Sequence, residues 1–168
     1  MPEAKDGVTE SAPKESPRVG ASRRRRYAFL GAAFVALVLL AAAIVLPSRL
    51  GPNVVLGGET FRVEVAATEE QQNDGLSGRS GLGAHQGMLF LFQEPDKICF
   101  WMNDMKFNID ILWFDEHQKL IKLEKNLSPD TFPRQYCPPQ PAKYVLEVPA
   151  GTAERLGVHE QSDLEVNL

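Results

Sequence analysis

The position that most demands chemistry is Asp110, inside the run IDILWF at 109–114. Read as a strand, the run sends Ile109, Ile111 and Trp113 to one face and Asp110, Leu112 and Phe114 to the other. Both faces are apolar, so Asp110 is a carboxylate expected in a dry place, where an unpaired charge is expensive. One reading makes it an acid/base or ligand-gripping group, with Asp104 as a second carboxylate for chemistry on a glycan or cell-envelope substrate. The other makes it scaffold, accepting hydrogen bonds from backbone amides of the 102–108 loop or pairing with Arg79. Arg79 itself lies in the glycine-rich stretch Gly75–Gly87. Glycines permit close backbone approach, and a guanidinium grips carboxylate or phosphate through two parallel bonds. Arg79, Trp101, Asn103, Asp104 and Asp110 therefore form the candidate rim of a ligand cleft. Phe100, Trp101, Trp113 and Phe114 could line it, although strand aromatics serve equally well as core.

Other chemistries lack a pattern. There is no GxxxxGK[ST] and no strand–GxGxxG–helix unit, which removes support for nucleotide binding. His85, His117 and His159 are widely spaced and form no HExxH. Met88, Met102, Met105, Cys99 and His85 offer soft donors suited to Cu(I). Their placement on apolar runs fits packing better, so neither metal nor cofactor is assigned. Cys99 and Cys137 are the only cysteines and there is no CxxC. They are either a bridge tying a proline-rich loop to the central strand, or two isolated buried thiols.

The elements that must position these residues are short. Phe61, Val63 and Val65 alternate with polar residues, which predicts a strand over 59–67. Thr68 with Gln71 resembles a capping box opening a short helix that ends near Gly75. Apolar runs follow at 88–92, 98–102 and 109–114, and Asp115–Gln118 makes a hairpin turn into 119–124. Five prolines between 126 and 142 forbid a helix or central strand there, so this segment is a long loop or lid. Tyr144, Leu146 and Val148 share one face of a further strand. One helical turn over 152–156, stopped by Gly157, and a last strand over 164–168 complete the chain. Six or seven strands with one or two short helices predict a mainly β domain, a small antiparallel barrel or sandwich.

The 168 residues carry a formal net charge of −4, and it is unevenly distributed. Residues 1–26 hold seven basic and four acidic side chains, a net of +3, and read as a disordered cytoplasmic tail. Residues 27–46 are 20 uncharged residues, enough helix for roughly 30 Å of hydrocarbon. Arg23–Arg26 immediately before them should stay cytoplasmic, which makes 27–46 a transmembrane signal anchor in the lipid bilayer and places the rest outside. Cleavage at Ala41–Ala43 and secretion is the alternative, although Ile44–Leu46 prolong the apolar stretch beyond it. Residues 47–58 read as a linker and 59–168 as the exported domain, with a net charge of −7 over 47–168. Such acidity argues against a nucleic-acid partner.

The motifs GLSGR (75–79), GMLFLF (87–92), FWMNDMKFNIDILWFD (100–115) and AKYVLEVPAG (142–151) occur in one order and spacing. Together they resemble the domain of unknown function 192 family over about 59–168. The resemblance implies a small mainly β domain, often exported or membrane-anchored, and brings no established activity. Ser77, Asn103, Asp104 and Asn108 depart from it, where the family usually has Met, a basic residue, Asn and often Pro. The functional expectation is an extracytoplasmic binding or accessory domain with an unknown ligand. The alternatives are the envelope-directed enzyme above and a protein–protein assembly module using the proline-rich loop.

Overall fold

The computed structural model describes residues 51–168. The expected cytoplasmic tail and transmembrane anchor fall outside them, and no helix among the described residues is long and apolar enough to cross a membrane. In chain order the elements are β1 (Asn53–Leu56), β2 (Glu59–Ala66), α1 (Glu69–Asp74), β3 (Gln86–Asp96), β4 (Phe100–Trp101), β5 (Ile109–Phe114), β6 (Leu120–Leu127), β7 (Gln135–Tyr136), β8 (Ala142–Pro149), α2 (Thr152–Arg155) and β9 (Leu164–Asn167). Seven strands form one sheet in the order β6-β5-β8-β3-β2-β1-β9, and β4 pairs with β7 as a separate ribbon.

The domain is mainly β, as expected, but it is a curled half-barrel with two short helices rather than a closed barrel or a sandwich. Its two edges approach at one end only, where Lys119 bridges to Asp163 and Leu120 N donates to Ser162 O at 2.9 Å. Nor is it wholly antiparallel. β2 and β3 run parallel, with Glu64 opposite Met88. Within the expected linker over 47–58, Asn53–Leu56 is instead a strand held between β2 and β9.

Both faces of the sheet are apolar. The first carries Met88, Phe90, Phe92, Ile109, Ile111, Trp113 and Val145. It is covered by Leu76 and by Ile98, Phe100, Met102, Met105 and Tyr136 from the chain around the ribbon. The second carries Phe61, Val63, Leu89, Leu112, Phe114, Leu146 and Val148, closed by Val54, Leu56 and Leu164 as the sheet curls and by Ala153 of α2. Gly87 belongs where β3 meets β8, since a Cβ there would lie 2.7 Å from the carbonyl oxygen of Glu147.

The helix forecast from Thr68 is present. Its hydroxyl accepts from Gln71 N at 3.3 Å while Gln71 Oε1 accepts from Thr68 N at 3.1 Å, the reciprocal capping box. Cys99 and Cys137 are bonded to each other, with Cα atoms 4.1 Å apart. They extend the register of the ribbon, whose pairs are Phe100 with Tyr136 and Trp101 with Gln135. The bridge therefore ties the proline-rich segment to β4, not to a strand of the main sheet. Cys99 is oxidised, and Met88, Met102 and Met105 are buried in the first core.

Candidate functional site

A cavity of about 300 Å³ opens on the first face of the sheet. One wall is the end of α1 and the turn after it, Asp74 to Ser77. Ile98, Cys99, Phe100, Trp101 and Met105 make the opposite wall, and Phe90, Phe92 and Glu147 lie beneath. Each wall is held from elsewhere. Gln72 Nε2 donates to Leu91 O at 3.0 Å and to Ala66 O at 3.3 Å, fixing α1 to β2 and β3. Gly78 N donates to Asp104 O at 2.9 Å and Ser77 Oγ to Asn103 O at 3.0 Å, locking the two loops together. Phe100 meets Phe90 edge-to-face at 4.8 Å and Trp113 at 5.8 Å. Trp113 in turn donates Nε1–H to Ile98 O at 3.2 Å. Trp101, by contrast, is 52% exposed, a large apolar side chain standing at the cavity with little to cover it.

Glu147 is the residue that sequence reasoning missed. It lies on β8 between Met88 of β3 and Ile111 of β5, only 5% exposed, and its Oε2 is buried without a hydrogen-bond partner. Burial pushes its carboxyl up to about 8, while the nearby positive charge of Arg79 opposes that rise. The carboxyl is therefore largely a neutral acid at pH 7. The sequence does contain a signal for it. YVLEVP is an otherwise apolar run interrupted by one carboxylate, the pattern that drew attention to Asp110.

The other site residues separate. Trp101 lines the cavity. Asn103 and Asp104 are exposed on the adjoining loop, and Asp104 is paired with Lys106. Arg79 holds Glu64 through both terminal nitrogens, at 2.5 and 2.8 Å, rather than Asp110. That pairing raises the guanidinium and holds the Glu64 carboxyl below the usual range. Asp110 sits on the sheet's second face, 0% exposed. Its Oδ1 accepts from Asn126 N at 2.8 Å and Gly151 N at 3.2 Å, and its Oδ2 from Ala153 N at 2.9 Å. The donors are not the 102–108 amides that the sequence suggested. They are the start of α2 and a left-handed residue of β6, Asn126 at φ 50°. Asp104 and Asp110 are not brought into one cavity.

The family model for domain of unknown function 192, described as an uncharacterized ACR, matches residues 53–166. No curated protein matches the chain. A crystal structure of a protein of unknown function from Novosphingobium aromaticivorans DSM 12444 is similar, at 31% identity and a TM-score of 0.63, covering 68% of this chain and 82% of that one. A second, from Sinorhizobium meliloti 1021 and provisionally described as a transcription regulator, is 28% identical with a TM-score of 0.63, covering 68% and 91%.

Proposed function

This chain belongs to the domain of unknown function 192 family, and from its geometry we propose a ligand-binding or accessory domain held outside the cytoplasmic membrane. The observation that carries the binding reading is Glu147, a buried carboxyl with an unpartnered oxygen on the floor of an open, aromatic-walled cavity. A polar group left unsatisfied in an apolar site costs stability that the fold has no reason to bear for packing alone. A bound molecule supplying the missing partner removes that cost. Predominantly apolar walls with few polar groups are the common form of a small-molecule site.

The tether rests on different observations. They are the 20 uncharged residues 27–46 directly after four arginines, and a disulfide that needs an oxidising compartment to persist. Screening the chain against small molecules, envelope glycans and peptides for thermal stabilisation tests the binding reading. A hit should be lost in Trp101→Ala while the variant's own melting is little changed. A hit indifferent to both Trp101 and Glu147 would put the site elsewhere. For the tether, deletion of 27–46 should move the protein from the membrane fraction to the soluble one, and unchanged partitioning would overturn it.

A further inference from the structure

We infer that the cavity takes a small organic cation, an ammonium carried on an apolar body, with the ammonium against Glu147 and the body against Phe100 and Trp101. The inference rests on reading the cavity as a binding site and adds the chemical class of what it holds. The lining contributes two carboxyl groups, Asp74 at one wall and Glu147 below, and no Lys, Arg or His. The nearest guanidinium is that of Arg79, whose two terminal nitrogens are both engaged by Glu64. An anionic ligand would thus meet carboxyls and no free cation. A cation meets two carboxyl groups among aromatic side chains, the combination of groups that recognises ammonium ions. A neutral ligand gains the walls but nothing from the charges. The volume, about 300 Å³, suits one small molecule rather than a polymer segment.

Entry of the cation changes the state of Glu147. The neutral acid releases its proton to solvent as the ammonium takes its place, so one proton leaves for each cation bound at neutral pH. Because burial places that carboxyl at about 8, affinity for a permanently charged ligand rises about tenfold per pH unit below this value and levels off above it. The charged groups around Glu147 do not mimic this. Arg79 and Glu64 are displaced away from neutral pH by their own pairing. Glu124, two strands away across Ile111, is paired with Lys122 at 3.0 Å, and Asp74 is an exposed carboxylate at the wall.

The test is a titration of the full-length chain with benzyltrimethylammonium, followed through the fluorescence of the exposed Trp101. Benzyl alcohol and benzoate serve as the neutral and anionic counterparts. The cation should bind most tightly, gain affinity from about pH 6 to about pH 8, and weaken at least about tenfold at pH 8 in Glu147→Gln, which also flattens the pH profile. A flat profile in the unaltered protein, or unchanged affinity in a folded Glu147→Gln, overturns the inference. The unaltered protein's profile decides the matter even if the variant does not fold. Tighter binding of the alcohol or of benzoate removes the cation and leaves the binding site. Failure of all three probes to bind removes both.

Discussion

The two faces of one sheet each bury a carboxyl group, and the two are treated in opposite ways. Asp110 accepts three backbone amides and stitches β5 to β6 and to the start of α2. Glu147, on the neighbouring strand and the other face, has an oxygen with no partner and a cavity above it. Burial is common to both, so burial does not separate scaffold from site. What differs between them is the number of satisfied hydrogen bonds.

Substitution should pull the two apart. Asp110→Ala leaves three amides without their acceptor and is expected to cost about 5 kcal/mol, read as a large fall in the denaturation midpoint or failure to fold. A loss under about 1 kcal/mol would mean that those bonds are replaceable and the contrast is false. Glu147→Gln should act in the other direction. The folded carboxyl is raised to about 8 from an ordinary 4.5, so its neutral form favours folding, an advantage fully present below pH 4.5 and lost as pH rises to 8. The variant lacks that loss and should be more stable than its parent at pH 8, by roughly 3–5 kcal/mol, with little difference near pH 4. Equal stability at both pH values would show that Glu147 finds a partner in solution.

Reducing the Cys99–Cys137 bond, which closes a loop with a separation of 38 residues, should cost about 3–4 kcal/mol. The effect should also be one-sided. Amide exchange is expected to rise around 98–107 and 132–138, over the Glu147 face, while the amides held by Asp110 stay protected. Uniform loss of protection would mean that the two faces unfold as one. Thr68→Ala removes the cap of α1, a wall of the cavity, for about 1 kcal/mol. It should lower the melting temperature slightly and loosen ligand binding more than it loosens the second face.

How far these features were legible in the sequence follows from the range of the interactions. The capping box at Thr68 and the hairpin turn at Asp115, whose carboxylate accepts from His117 N and Lys119 N, are local and visible in the residues themselves. Asp110 stood out because IDILWF is apolar on both sides. Its partners did not, because Gly151 and Ala153 lie 41 and 43 residues away along the chain. Glu147 carries a fainter form of the same signal, one carboxylate in the apolar run YVLEVP. Tyr144, Leu146 and Val148 suggest a half-buried strand with Glu147 in water, and only the placement of β8 between β5 and β3, with a cover over the first face, buries its other side. The Arg79–Glu64 pair joins residues that no local pattern relates.

The parallel pairing of β2 with β3 has a consequence for how such a protein can diversify. Parallel neighbours cannot be joined by a tight turn, so the chain between them must travel back along the sheet. Here that return path is α1 and the glycine-rich loop, and the same stretch builds one side of the cavity. Lengthening or shortening the path resizes the chamber while every strand keeps its neighbours. The wall of the cavity can therefore vary in length without any change in the pairing of the sheet.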